Sequence, residues 1–255
     1  MLHRRFNASG YDDQYFNKRS AAALESARVV VPLVFRFAQP GSVLDVGCAR
    51  GEWLSVFQEH GVEQIKGLDG EYVDQSKLLI PHDRFQAVNL LQPIRVDESW
   101  DLAICLEVAE HLFPNRAASL VKELTRAAPI ILFSAALPGQ GGSLHLNEQW
   151  PAYWKDAFAE HGYVRLDVIR PLIWQDRRVN WWYQQNMFLF AGHEALVQSP
   201  ELRAAAETAQ GPQLELLSEA SIYRLTSFGG LLRELFPSAK RMVANRLRRW
   251  KKTRS

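Results

Sequence analysis

The chain has 255 residues, 47% apolar and 23% charged, with two cysteines, Cys48 and Cys105. This is the composition of a soluble globular protein with one sizeable α/β domain or two small ones, and it excludes a disulfide-stapled scaffold. The first residues lack the apolar core of a signal peptide and no apolar run is long enough to cross a bilayer, so a cytoplasmic location is expected.

The formal net charge of +2 is unevenly placed. Residues 238–255 hold eight Lys or Arg and no Asp or Glu. Taking those eight from the chain's 30 basic residues leaves 22 against 28 acidic ones, a net of −6. A mildly acidic body argues against a broad nucleic-acid surface.

In chain order, an irregular start gives way to a helix reaching about Ala38, so residues 1–40 read as a helical lead-in. "PGSVLDVGCARGEWLSVFQEHG" is a strand, a glycine turn and a helix, and "EQIKGLDGEYVDQSKLLI" repeats that order. "RFQAVNL" is a third strand and "SWDLAICLE" a fourth, followed by the helical "VAEHLFPNRAASLVKELTRAA". "PIILFSAALPG" is a fifth strand, and the glycine-rich "GQGGSLHLNEQW" follows it. After the helix "PAYWKDAFAEHGY" come two strands, "VRLDVIRPL" and "NMFLFAG", separated by the aromatic "IWQDRRVNWWYQQ". Strands alternating with helices predict a parallel sheet with crossover helices over residues 41–192. Residues 193–255 read as a helical extension ending in the basic tail.

The loop "VLDVGCARGEW" ends a strand with Asp45 and opens a helix after Gly51. Gly47 permits a sharp turn, Gly51 permits close approach of a ligand, and the amides at the helix start attract an anion such as a carboxylate. Asp69, some twenty residues on at the tip of the second strand, can accept two hydrogen bonds from a ribose. No Walker lysine pattern is present.

Together, "VLDVGCARGEW", "GLDG" and "DLAICLEVAEHL" resemble the class I S-adenosylmethionine-dependent methyltransferases. The resemblance implies a seven-stranded, mostly parallel Rossmann-like sheet whose last strand pair is antiparallel. It also implies that Asp45, Gly47 and Gly51, with Cys48 between them, cradle the methionine end of S-adenosylmethionine. Asp69 with Gly70 would take the ribose, and Glu107 would touch the cofactor. At the third strand's tip the family usually has an acid for the adenine amine. Here Asn89 and then Leu90 stand, and an amide oxygen can accept the same bond.

"CLEVAEHL" carries Glu107, Glu110 and His111 at i, i+3 and i+4, which on a helix share one face. His145 comes from the loop after the fifth strand, and loops at the carboxyl ends of adjacent parallel strands converge on one crevice. Two carboxylates and two imidazoles suit a divalent ion such as Mg²⁺ or Mn²⁺. The set resembles that of metal-dependent O-methyltransferases acting on vicinal hydroxyls, notably the small-RNA 3′-terminal 2′-O-methyltransferases and, more loosely, ubiquinone-pathway O-methyltransferases. Without a metal, His111 or Glu107 is the candidate base; the other reading of the acids is helix capping.

Trp174, Trp181, Trp182 and Tyr183, beside Arg177 and Arg178, are either sheet-edge core or a platform for a sugar or base. With "SAALPGQGGSLHLNEQWPAYW" they resemble a bacterial methyltransferase subfamily associated with sugar and surface-polysaccharide biosynthesis, which implies a glycan acceptor. In the tail, Met242, Val243, Leu247 and Trp250 roughly share a helical face among basic residues. That pattern suits peripheral contact with an anionic inner membrane as well as a solvated end. Two alternatives follow: an RNA 3′-terminal ribose methyltransferase, and a non-catalytic cofactor-binding scaffold in a glycan-assembly complex.

Overall fold

The computed structural model describes residues 13–209 and the isolated positions 217 and 222, with backbone alone for 13–18. The basic tail lies outside the described residues. Helix α1 (Asp13–Val34) leads in. Then come β1 (Ser42–Val46), α2 (Glu52–Glu59), β2 (Gln64–Asp69), β3 (Phe85–Ala87), β4 (Leu102–Leu106), α3 (Pro114–Ala127), β5 (Ile130–Ser134) and α4 (Pro151–Ala159). Strand β6 (Tyr163–Leu166), α5 (Arg170–Ile173), α6 (Trp181–Asn186), β7 (Phe188–Gly192), α7 (His193–Gln198) and α8 (Pro200–Thr208) complete it.

The seven strands form one sheet in the order β3-β2-β1-β4-β5-β7-β6. The first five pair in parallel, and β7 runs antiparallel to both β5 and β6. Strands β1, β4 and β7 are buried throughout, because helices cover both faces. Their side chains alternate between two cores. On one face Val43, Leu102, Ile104 and Leu132 meet α1, α2 and α8, the last through fully buried Leu202. On the other, Leu44, Cys105, Ile131 and Phe133 meet α3 and α4. Phe133 is ringed by Trp154, Phe158 and Phe190 at centroid distances of 5.0, 5.3 and 6.1 Å. Truncating such a residue to alanine costs about 3–5 kcal/mol. No helix among the described residues is long and apolar enough to cross a membrane.

Three expected elements differ. The helix expected after β2 is replaced by two short 3₁₀ turns, Gln75–Lys77 and His82–Arg84. The Asp74 carboxylate caps Ser76 N, Pro81 interrupts the run, and Leu79 N donates to Arg50 O at 2.8 Å, drawing the segment across the first loop. The strand expected through "VRLDVIRPL" stops at Leu166, and α5 begins at Arg170 with Pro171 in its first turn. After β4, only a 3₁₀ turn, Ala109–His111, precedes α3, whose first residue is Pro114. A proline disfavours helical backbone in the residue before it, so the α-helix cannot start earlier through Phe113. Glu107, Glu110 and His111 therefore do not share an α-helical face.

Candidate active site

Strand order reverses between β1 and β4, and open α/β sheets take their ligands at the strands' carboxyl ends beside such a reversal, in a crevice between the flanking loops. The β1 loop turns at Gly47 with φ of 90°, and Gly47 N and Cys48 N donate to Leu68 O at 2.7 and 3.2 Å. A side chain at Gly47 could not fit, since its Cβ would stand 2.2 Å from Val108 Cγ2. The β1 and β4 loops thus touch.

Behind this loop lie three buried carboxyls. Asp69 Oδ2 accepts from Ala49 N at 2.7 Å, and Oδ1 accepts from Gly70 N at 2.6 Å and from the Tyr72 hydroxyl. Glu52 Oε2 accepts from Arg50 N at 3.1 Å. Asp45 is 3% exposed, and its Oδ2 is buried with no hydrogen-bond partner. Burial first, then Asp69 and Glu52, push the Asp45 carboxyl well above its ordinary range. Three acids massed around a glycine turn favour a cation nearby. The Cys48 thiol, raised chiefly by burial, packs against Gly67 and is chemically quiet. At the third strand, exposed Asn89 turns its Oδ1 to its own backbone, accepting from Leu91 N at 3.1 Å. The neighbouring Leu90 O accepts from Arg116 Nε.

The second half of the crevice is built after β4 and β5. Glu107 adopts a left-handed φ of 57°, a conformation costing a non-glycine residue about 1 kcal/mol. Its N–H is held by Ser134 O at 2.9 Å, and its carboxylate by two amides, Asn186 Nδ2 on Oε1 at 3.1 Å and Gln140 Nε2 on Oε2 at 3.2 Å. Those amides belong to a buried set in which Gln185 and Asn186 also bond Gln140 Oε1. Burial still raises the Glu107 carboxyl above its ordinary value.

Glu110, His111 and His145 meet, each offering one ligand atom within 4.8 Å of the others. Glu107 stands beside this group, not in it. Glu110 is 1% exposed and its Oε2 is buried without a partner; burial and then Glu107 raise its carboxyl strongly. The buried Nδ1 of the His111 ring has no hydrogen-bond partner. Burial first, then His145, lower His111 to about 4, so the ring is neutral at pH 7. The His111 and His145 rings meet edge to face at 4.9 Å. The loop bringing His145 is pinned by Glu110 O, which accepts from Leu146 N at 2.7 Å and Asn147 N at 3.0 Å. Glu148 pins it again, its carboxylate facing Gly139 N, Gly141 N and His145 Nδ1.

The aromatic run divides. Tyr183 is core, edge-on to Trp53 at 5.3 Å, while Trp174, Trp181 and Trp182 are half-buried. Arg177 is exposed, and so is Arg178, which pairs with Asp176. Helix α6 carries Trp181 and Trp182 and delivers Asn186 to Glu107.

Sequence reasoning missed Glu52, Gln140, Glu148, Gln185 and Asn186. Glu148 had a signal, sitting three residues after His145 in a glycine-rich loop. Asn186 had none, because its contact with Glu107 spans 79 residues.

Comparison with protein families matches residues 16–210 to a methyltransferase-domain family. Among solved structures, the methyltransferase domain of bacterial CtHen1 matches at 20% identity over 67% of this chain and 98% of its own, with a TM-score of 0.48. TnmH matches at 12% identity over 75% of this chain and 61% of its own, with a TM-score of 0.52. An O-methyltransferase family protein from Burkholderia thailandensis matches at 14% over 75% and 62%, with a TM-score of 0.50. At such identities the likeness concerns the fold alone. No curated protein matches the chain. The chain belongs to the methyltransferase-domain family, and its sheet is that of the class I S-adenosylmethionine-dependent methyltransferases.

Proposed function

We propose that this protein transfers the methyl group of S-adenosylmethionine to a sugar hydroxyl of a surface glycan or its precursor, with a divalent cation, Mg²⁺ or Mn²⁺, at Glu110, His111 and His145. The observation that carries the reading is the convergence of these three residues beside the crevice, with Glu110 Oε2 and His111 Nδ1 both buried and unpartnered. A buried orphan carboxyl oxygen and a buried orphan imidazole nitrogen are costly unless a ligand takes them. An oxygen and two nitrogens are a donor set for such an ion, with positions left for hydroxyl oxygens.

On the donor side, Asp45, Glu52 and Asp69 suit a molecule carrying an ammonium and a sulfonium group, and Asp69 is the carboxylate for its ribose. S-adenosylmethionine supplies an already activated methyl group, so no covalent enzyme intermediate is needed. The ion supplies a lowered hydroxyl pKa. The chain's own residues do the rest: Glu110, His111 and His145 fix the acceptor oxygen near the donor crevice, and positioning alone is a large part of catalysis. Glu107, held by its two amides, stands next to Glu110.

The sugar acceptor rests on the subfamily resemblance and on the half-exposed Trp174 and Trp181, since aromatic faces suit a pyranose; the Trp182 ring packs on the core under Arg19. The acidic body disfavours RNA. The basic tail suits an anionic inner membrane, where a lipid-linked glycan would be met in the cytoplasm. Calorimetry tests the reading: Mn²⁺ should bind wild type and not Glu110→Ala/His145→Ala, while both bind S-adenosylmethionine alike. Equal Mn²⁺ binding by the two proteins would contradict it.

A further inference from the structure

Glu148 receives three donors on one carboxylate. Gly139 N reaches Oε2 at 2.8 Å, Gly141 N reaches Oε1 at 2.9 Å, and His145 Nδ1 lies 2.9 Å from Oε1. The backbone is bent to make this so: Gly139 and Gly141 have φ of 80° and 69°, and Leu144, just before His145, has φ of 62°. Left-handed backbone at a leucine is strained, and the anchored ends of the loop hold it there.

The direction of the histidine bond follows. Both glycine amides can only donate, so both Glu148 oxygens already act as acceptors. A proton on Oε1 would confront the Gly141 N–H. His145 therefore donates from Nδ1, and in the neutral ring the lone pair falls to Nε2. Side-chain exposures of 12% for His145 and 21% for Glu148 leave little water to compete for that bond.

We propose that Glu148 is a positioning residue: it fixes His145 as the Nδ1–H tautomer and so makes Nε2 the atom His145 offers to the ion. The complement is His111, whose buried Nδ1 has no partner. The two histidines thus offer opposite ring nitrogens, that of His145 chosen by the bond its other nitrogen makes. This use of His145 rests on the metal reading above; its tautomer does not.

Long-range ¹H–¹⁵N correlation spectra of the metal-free protein read the tautomer directly, and Mn²⁺ titration reads the consequence. Wild type should show His145 protonated on Nδ1. Glu148→Ala should shift that proton towards Nε2 and weaken Mn²⁺ binding at least tenfold, with S-adenosylmethionine affinity unchanged. Glu148→Gln, whose amide oxygen still accepts, should keep the tautomer and recover part of the Mn²⁺ affinity. A wild-type His145 protonated on Nε2 would overturn the proposal whether or not any variant folds. So would weakened Mn²⁺ binding in Glu148→Ala with the tautomer unmoved, which marks a purely structural loop tie. A wild type with the Nδ1–H tautomer and no Mn²⁺ binding would uphold the tautomer assignment and sink the metal reading.

Discussion

The two halves of the crevice are built by opposite means. Under the β1 loop, Asp69 is held by amides one and twenty residues away and Gly47 turns where only glycine fits. Past β4 and β5, Glu107 and Leu144 are strained without being glycine, and Glu110 and His111 carry buried atoms with no partner. The first half is a cradle made of backbone; the second is a cluster of side chains held by distant amides and carboxylates. Polar groups in the first half mostly complete one another, with Asp45 Oδ2 the exception, whereas the second half keeps buried Glu110 Oε2 and His111 Nδ1 without a partner.

That contrast predicts where mutations separate the two halves. Glu110→Ala/His145→Ala should have the largest effect, abolishing metal-stimulated turnover while leaving S-adenosylmethionine affinity within about twofold by calorimetry. Asp69→Ala should do the reverse, weakening S-adenosylmethionine binding at least tenfold, about 1.4 kcal/mol, with Mn²⁺ binding intact. Unchanged donor affinity would remove Asp69 from the ribose role. Gly47→Ala should strike both halves at once, because its Cβ meets Val108 and its φ is unfavourable; an unfolding free energy lower by about 1–3 kcal/mol is expected from denaturant titration.

A smaller effect is pH-dependent. An unfolded histidine titrates near 6.5 and His111 in the fold near 4, so below pH 6.5 the unfolded chain takes up a proton that the fold refuses. Stability should fall between about pH 6.5 and 4, by at most about 3 kcal/mol. Thermal melts across that range should show the slope, and His111→Asn should flatten it. The smallest expected change follows removal of residues 238–255, which should leave turnover of soluble acceptors unaltered and reduce binding to anionic vesicles. Equal vesicle binding would dismiss the membrane role.

The turn after β1 was legible in the sequence because its parts are local: Asp45, Gly47 and Gly51 lie in one loop, and Asp69 ends the next strand. The sheet was legible for the same reason, since each buried strand is a short apolar run, and those of β1 and β5 are bounded by glycine or proline. The segment after β2 was not, because a helical pattern there yields to Ile80 closing over Gly51. Glu110, His111 and His145 were found, but through the wrong backbone: a 3₁₀ turn before Pro114 replaces the expected α-helix. What orients them was mostly hidden. Gln140 and Asn186 reach Glu107 across 33 and 79 residues, and no local pattern encodes such contacts.

The most direct test is turnover of methyl-labelled S-adenosylmethionine on a panel of nucleotide sugars, oligosaccharides and RNA, with Mn²⁺ or Mg²⁺ and then with chelator. The account predicts label in a glycan hydroxyl that disappears with chelator and with Glu110→Ala/His145→Ala. Label that persists undiminished in chelator would contradict it and leave Glu110 and His111 as supports of the fold around a metal-independent base.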